Sequence, residues 1–150
     1  MAMIPAKDAQ SIRQHFDKHL KGPVTIDYFT QKQSALSLPL QECMYCRETG
    51  ELLSEIAALS GQIRLQVHDL VADEAKAKEF GITRIPAFVL SGAAKGKVRF
   101  LGIPSGYEFS SVIEDLVDVA KGSTDLSPKA REELAAVKKE VHIQVFGTPT

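Results

Sequence analysis

The sequence predicts an α/β protein in which helices lie on both faces of a central mixed β-sheet. The first observation is the order of elements from residue 24 onward: strand, helix, strand, helix, strand, strand, helix. The second is the glycine-rich stretch SGAAKGK (91–97) between two β-favouring runs, which is typical of a β-hairpin. Two βα units followed by a hairpin and a covering helix indicate one mixed sheet.

Composition is that of an ordinary folded protein and excludes several classes of function. Of the 150 residues, 44% are apolar and 25% are charged, and the formal net charge is −1. This balance gives no electrostatic argument for a nucleic-acid or anionic-membrane partner. The first residues lack the pattern of a signal peptide, and no apolar run approaches the roughly 18 residues of a membrane span. We therefore predict a cytoplasmic protein.

The first third of the chain contains one helix, one strand and one long loop. Apolar residues recur every four positions in 6–20, which predicts a helix with one apolar stripe. The β-branched and aromatic run VTIDYFT (24–30) predicts a strand. The stretch QKQSALSLPLQE (31–42) has no clear period and contains a proline, so we predict a loop there.

The middle of the chain continues the alternation of helix and strand. A helix is predicted from Cys43 to the glycine at position 61, where a left-handed residue is favoured. IRLQVHDL (63–70) alternates apolar and polar residues and predicts a strand. Asp73 can cap a short helix that Gly81 ends. The hairpin strands AFVLSG and KVRFLGI follow.

The last third is predicted to be mainly helical. SGYE has the pattern of a capping box, with Ser105 as N-cap and Glu108 at N3, and opens a helix that ends at Gly122. Ser127-Pro128 predicts the start of a further helix through about Lys139. The chain ends in VHIQVFGTPT (141–150), which predicts a strand running into a turn.

The two cysteines of the chain lie together as CMYC, Cys43 to Cys46. In a reducing compartment such a pair indicates redox chemistry or metal binding, because structural disulfides are uncommon there. Zinc takes at least three protein ligands, and the four scattered histidines do not complete a set with the pair. Redox activity is therefore favoured, with no cofactor beyond the Cys43–Cys46 disulfide. Two unrelated buried cysteines are the alternative.

A cysteine at the start of a helix is suited to nucleophilic attack. Backbone amides there are unpaired and carry partial positive charge, which stabilises a thiolate. A thiol in that setting has a pKa of about 3.5–7.5 instead of about 8.5. Cys46 lies within reach of Cys43, so Cys43 can attack a disulfide and Cys46 can resolve the mixed disulfide.

A strand, a C-x-x-C motif and GITRIPAFVL some 40 residues later resemble the thioredoxin/glutaredoxin superfamily, which implies a thioredoxin-like fold. The resemblance implies a cis peptide bond between Ile85 and Pro86, and a backbone at Ile85 that holds an extended substrate. Tyr45 matches the tyrosine of the glutaredoxin C-P-Y-C motif, although Met44 replaces its proline. Met44, Tyr45, Ile85 and Pro86 are thus implied to contact substrate.

The stretch RFLGIPSGYEFSSVIEDLVDVAKG, followed by VHIQVFGTPT, extends the resemblance. It is similar to the N-terminal unit of glutaredoxin-like protein disulfide oxidoreductases, which carry two thioredoxin-fold units in tandem. The N-terminal domain of the alkyl hydroperoxide reductase flavoprotein subunit is a related tandem. This implies a thioredoxin-like unit with an N-terminal helix at 1–122, a linker helix at 123–140, and the first strand of a second unit at 141–150.

An internal repeat supports this division. VTIDYFT (24–30) and VHIQVFG (141–147) share valine, isoleucine and phenylalanine at the same places, 117 residues apart. The chain stops before a second C-x-x-C would occur, as in a unit cut away or lost. We expect 141–147 to add to an edge of this unit's sheet or to pair with another copy, which would make an oligomer.

Several roles near the cysteines stay open at the level of sequence. The 31–42 loop is longer than the family's, which puts the shape of the site in question. Asp27 matches a buried aspartate that assists proton transfer in the thioredoxin branch; the alternative is an outward-facing carboxylate. Glu42 could raise the pKa of the Cys43 thiol, but a solvated loop residue is favoured. For His68 and His142 we expect structural or solvent-facing roles.

Three functions fit these observations. The favoured one is a dithiol–disulfide oxidoreductase with Cys43 as nucleophile and Cys46 as resolving residue. It would act on protein or small disulfides and take electrons from a thioredoxin-reductase-like donor. The second is an electron relay between a flavoprotein reductase and a peroxiredoxin-like partner. The third is a non-catalytic thioredoxin-fold interaction domain.

Overall fold

A computed structural model describes residues 2–31 and 43–146 of the chain. Its helices and strands are, in order, α1 (Ala6–His19), β1 (Val24–Thr30), α2 (Cys46–Ala57), β2 (Ile63–Asp69), α3 (Glu74–Phe80), β3 (Ala87–Ser91), β4 (Val98–Leu101), α4 (Tyr107–Lys121) and α5 (Pro128–Ala135). From β1 to α4 this is the predicted order. In these described ranges, none of the helices is long and apolar enough to cross a membrane.

The four strands form one sheet in the order β2-β1-β3-β4. β1 runs parallel to β2 and antiparallel to β3, and β3 is antiparallel to β4. The sheet is therefore mixed, as predicted. The βα unit supplies the parallel pair and the hairpin supplies the antiparallel edge.

Helices pack on both faces of the sheet because β1 and β3 alternate their buried side chains. Ile26 and Tyr28 of β1 lie in the larger apolar cluster, with residues of α1, α2 and α4. Phe29 lies in the smaller cluster on the opposite face, with Ala77 and Phe80 of α3. Successive strand residues point to opposite faces, so β1 is buried on both sides. The predicted fold class is confirmed.

Several helix ends lie where the sequence predicted them. Gly81 and Gly122 follow α3 and α4 in the left-handed conformation, with φ of 66° and 63°. Ser127 caps α5, since its hydroxyl accepts a hydrogen bond from the Ala130 N–H at 3.1 Å. α5 ends at Ala135, four residues before the predicted end.

The predicted capping box at 105–108 is wrong. The N-cap residue of α4 is Gly106, at φ 61°, and the helix begins at Tyr107. Ser105 therefore lies one residue too early to cap. The glycine adopts a positive φ with ψ of −127°, a backbone conformation that the serine–glutamate pattern did not reveal.

The C-terminal segment does not join the sheet, so the prediction that it adds to an edge of this unit's sheet is wrong. Residues 141–146 have no strand structure, and Ile143 and Phe146 are 80% and 89% exposed. Alternating apolar residues favour a strand, but a strand forms only against a partner. Pairing with another copy and assignment to a second unit stay predictions. Residues 147–150 lie outside the described part.

We expect Gly122→Ala to lower the free energy of unfolding by about 1–2 kcal/mol, because an L side chain is strained at a positive φ. An added Cβ would also lie 2.9 Å from the Cβ of Ala93. Gly61→Ala is the matched control, since a Cβ there has no described atom within 4 Å. Urea unfolding measures both; equal midpoints for the two variants would contradict the prediction.

Candidate active site

Cys43 and Cys46 form a disulfide with an S–S distance of 1.99 Å and a Cα–Cα distance of 5.4 Å. The two cysteines differ in exposure: Cys46 is 6% exposed, whereas Cys43 is half-buried. An attacking reagent therefore reaches Cys43 more readily. This asymmetry fits the predicted division into nucleophile and resolving residue.

α2 begins at Cys46, so the prediction that Cys43 starts the helix is wrong by one turn. Residues 43–45 form a turn, in which the Cys46 N–H donates to the Cys43 carbonyl at 3.4 Å. Tyr45 is the N-cap residue, and its side chain makes no capping hydrogen bond within the described part of the chain. The disulfide nevertheless joins the Cys43 sulfur to the first helical residue. Cys43 thus precedes the first turn of α2, whose amides are unpaired, and the stabilisation of its thiolate by those amides stays a prediction.

The backbone of Cys46 is hydrogen-bonded to a side chain of the central strand. The Tyr28 hydroxyl donates to the Cys46 carbonyl at 2.5 Å, and Tyr28 is 2% exposed. One residue earlier, the Tyr45 carbonyl accepts from both the N–H and the hydroxyl of Thr49, at 2.9 and 2.7 Å. These bonds fix the first turn of α2, and with it the backbone of Cys46.

Tyr28 stays protonated in this setting and therefore remains a donor. Burial raises the pKa of its hydroxyl above the usual 10.0, a hydrogen bond with Thr30 lowers it, and the Glu48 carboxylate raises it. The net shift of the pKa is upward, because the charged form loses solvation. The hydroxyl thus keeps, at physiological pH, the proton that it donates to the Cys46 carbonyl.

The end of β1 and the start of β3 meet beside the disulfide. Gln31, which follows β1, accepts a hydrogen bond from the Cys43 N–H at 3.3 Å. Phe29 pairs with Ala87 in the antiparallel register, so the two residues before β3, Ile85 and Pro86, continue opposite the segment that ends at Gln31. The peptide bond between Ile85 and Pro86 is cis. The topology thus brings the C-x-x-C motif and the Ile-Pro pair to one end of the sheet.

Two apolar side chains between the cysteines face solvent. Met44 is 77% exposed and Tyr45 is 51% exposed. Beside them Ile85 is half-buried and Pro86 is buried. Exposed apolar residues next to the disulfide suit a contact with a partner, because they contribute nothing to the core of this chain.

Asp27 is buried, and its carboxylate contacts His68. Asp27 is 5% exposed, and its Oδ1 lies 2.7 Å from Nε2 of His68. The His68 side chain is 15% exposed, and its ring lies 4.9 Å from that of Phe29. The outward-facing alternative for Asp27 is therefore wrong. His142 is exposed, as expected.

Asp27 and Cys46 lie on opposite faces of the sheet. Asp27 shares the α3 face of the sheet with Phe29, whereas Tyr28 reaches the Cys46 carbonyl from the opposite face. The structure thus brings Asp27 to His68 and brings Tyr28 to Cys46. The role of Asp27 in proton transfer stays a prediction.

The contact between Asp27 and His68 was missed because it depends on strand register. In the parallel pair, Asp27 lies opposite Gln66 and Phe29 lies opposite His68. The polar residues of β2 lie on the same face of the sheet as Asp27, and this alternation was the one feature of the sequence that could have indicated the contact.

Glu42 and most of the 31–42 loop lie outside the described residues, so the predictions for them stay predictions. Within residues 2–31 and 43–146, no group of three or more His, Cys, Asp and Glu could hold a metal.

His68→Phe should lower the free energy of unfolding by about 1–3 kcal/mol, because the buried Asp27 carboxyl group loses its partner while the ring contact with Phe29 is kept. His19→Phe is the matched control, since His19 is exposed on α1. Urea unfolding at pH 7 measures both variants. A His68→Phe protein as stable as the control would show that the contact with Asp27 contributes nothing.

The chain is similar to subunits of alkyl hydroperoxide reductase and to a probable thioredoxin. A stretch of 100 residues is 29% identical to the F subunit of alkyl hydroperoxide reductase from Pseudomonas putida; the match covers 67% of this chain and 17% of that protein. A probable thioredoxin of Methanothermobacter thermautotrophicus is 34% identical over 74 residues, covering 49% of this chain and 82% of the thioredoxin.

A solved structure shares the fold over nearly the whole chain. A mutant F subunit of alkyl hydroperoxide reductase from Enterococcus faecalis superposes with a TM-score of 0.74 at 25% identity, covering 91% of this chain and 62% of that one. This chain thus spans less than two thirds of that protein. The profile of a family described as "Domain of unknown function (DUF7088)" matches residues 14–103. The chain therefore belongs to the DUF7088 family, and its match over most of a probable thioredoxin identifies it as a member of the thioredoxin family.

Proposed function

We propose that this protein is a dithiol–disulfide oxidoreductase that acts on protein or small disulfides. The observation that carries the proposal is the Cys43–Cys46 disulfide, with one accessible and one buried cysteine, at the start of α2. Thioredoxin relatives and the C-x-x-C pair point to the same chemistry. The general biological role that follows is cell redox homeostasis.

The reaction transfers two electrons in two substitutions at sulfur. The Cys43 thiolate attacks a substrate disulfide, so that a Cys43–substrate bond forms, the substrate S–S bond breaks, and one substrate thiolate leaves. Cys46 loses its proton and attacks the Cys43 sulfur. The second substrate thiolate leaves, and the Cys43–Cys46 disulfide of the structure is the product. The substrate disulfide is reduced to two thiols, and a dithiol donor of the thioredoxin-reductase class restores the protein.

Four residues at this end of the sheet are proposed to hold the substrate. The exposed side chains of Met44 and Tyr45 would contact it beside the disulfide. The backbone of Ile85, before Pro86, would bind it as an added strand. The cysteine pair carries the electrons without a bound cofactor. We place the reaction in the cytoplasm, where a dithiol can be kept reduced.

An acid/base role for Asp27 would require a relay through water. Its carboxylate lies on the α3 face, and the contact that the described residues give it is the one with His68. A proton from the Cys46 thiol would therefore reach Asp27 only by way of solvent at the end of the sheet. The proposed reaction needs no such relay, because solvent itself can accept the proton.

A second candidate is an electron relay between a flavoprotein reductase and a peroxiredoxin-like partner. Its supporting observation is the likeness to the F subunits of two alkyl hydroperoxide reductases. The relay uses the same two cysteines and the same chemistry. It differs in that exposed residues around the disulfide would favour one dedicated partner over disulfides in general.

Cys43→Ser should abolish the reduction of insulin by dithiothreitol through this protein, because the attacking sulfur is gone. Cys46→Ser should instead accumulate a mixed disulfide, since the first step proceeds and the second cannot. Turbidity measures insulin reduction, and mass spectrometry of the intact protein measures the adduct. The two variants control for each other, because each removes one sulfur and the same disulfide.

If Cys43→Ser behaves like the wild type in every redox assay, the protein is a non-catalytic interaction domain and the proposal fails. Slow insulin reduction, together with fast electron transfer from a flavoprotein reductase to a peroxiredoxin, would favour the relay. Fast turnover of both substrates would favour the general oxidoreductase.

A further inference from the structure

Tyr28 is an enclosed polar side chain that the reaction above does not use. Its ring belongs to the core on the α2 face of the sheet, and the side chain is 2% exposed. Its hydroxyl nevertheless reaches the backbone of the resolving cysteine, where it donates to the Cys46 carbonyl at 2.5 Å. A phenylalanine would fill the same space in the core. The hydroxyl therefore adds hydrogen bonds that the core does not need, one with Thr30 of its own strand and one that reaches across to Cys46.

A glycine in α2 allows the Tyr28 ring to pack close to the helix backbone. Gly50 lies one helical turn after Cys46, inside α2. A Cβ at this position would lie 3.2 Å from Cε1 of Tyr28, which is closer than an ordinary van der Waals contact. Glycine is less favourable than alanine in a helix interior. The close approach of the ring to the helix backbone is the physical reason for a glycine here.

The position of Cys46 matters most in the second step of the reaction. In the mixed disulfide, the bond between Cys43 and Cys46 is open, so it no longer holds the two sulfurs together. The first turn of α2 must then keep the Cys46 sulfur near Cys43. Intramolecular reactions gain their speed from such orientation, and a small displacement of the attacking atom slows them strongly.

We propose that Tyr28, seated against Gly50, is a positioning residue that holds Cys46 for its attack on the mixed disulfide at Cys43; this rests on the proposed oxidoreductase function. In that step the Cys46 thiol gives its proton to solvent. The sulfur electron pair of Cys46 forms the bond to Cys43, and the bond between Cys43 and the substrate sulfur breaks. The substrate thiolate leaves with the electron pair of that bond.

A single-turnover reaction separates the two steps. Reduced protein is mixed with one equivalent of the chromogenic disulfide 5,5′-dithiobis(2-nitrobenzoate), and the released thiolate is followed by absorbance. The first phase reports attack by Cys43, and the second reports attack by Cys46. A second measurement, the equilibrium with reduced and oxidised glutathione, gives the effective concentration of one cysteine toward the other.

Two variants change the contact in different ways, and each has a matched control. Tyr28→Phe removes the hydroxyl and keeps the ring, and Tyr107→Phe removes a hydroxyl that is 80% exposed. Gly50→Ala places a methyl group against the Tyr28 ring, and Gly61→Ala places one where no described atom lies within 4 Å. Helix propensity alone would make Gly50→Ala favourable, so a slower reaction in it cannot come from a weaker helix.

We expect Tyr28→Phe to slow the second phase by about threefold to tenfold, the range that one hydrogen bond corresponds to. The effective concentration measured with glutathione should fall by a similar factor, and the first phase should not change. Gly50→Ala should act in the same direction. The double variant should lose no more than the stronger single variant, because the two residues form one contact.

Two results overturn the inference while leaving the oxidoreductase function intact. One is a second phase and an effective concentration in Tyr28→Phe that equal those of Tyr107→Phe. The other is an equal slowing of both phases, which would show a general structural effect. A wild type that releases no thiolate would instead overturn the proposed function, and the role of Tyr28 with it. Both control variants should match the wild type throughout.

Discussion

The central strand β1 is the constraint on which the rest of this structure depends. It is hydrogen-bonded along both edges, to β2 in parallel and to β3 in antiparallel orientation. It is also buried on both faces, so its odd and even side chains serve different layers. Tyr28 extends from one face to the carbonyl of Cys46, and Asp27 extends from the other to His68. One strand thus contacts Cys46 on one side and carries a buried carboxylate on the other.

This arrangement makes the two cysteines of the site differ in exposure. The Tyr28 hydroxyl and the turn at 43–45 hold Cys46 inside the first turn of α2, whereas Cys43 lies before the helix and remains accessible. Two chemically identical side chains therefore differ in how readily a reagent reaches them. The Ile85–Pro86 pair lies at the same end of the sheet as the two cysteines, which is the arrangement that the proposed substrate contact requires.

Local sequence patterns predicted most helices and strands of the fold. They failed where the conformation of a residue depended on other parts of the chain. Gly81 and Gly122 end their helices because a left-handed residue is a local requirement. Ser105 matched a capping pattern, yet Gly106 took the N-cap position. Residues 141–146 had the alternation of a strand, but hydrogen bonds to a partner are what make a strand. The start of α2 was misplaced by one turn because the 43–45 turn resembles a helix start in composition.

The sequence by itself determined the mixed α/β architecture and predicted both the Cys43–Cys46 pair and the cis peptide bond between Ile85 and Pro86. Periodicity, turn residues and a C-x-x-C spacing are local properties, and they can be recognised without coordinates. Only the tertiary structure decided which cysteine is buried, that Tyr28 donates to Cys46, and that Asp27 meets His68. These contacts join residues 18 and 41 positions apart. They depend on strand register and helix packing, which no single stretch of the chain encodes.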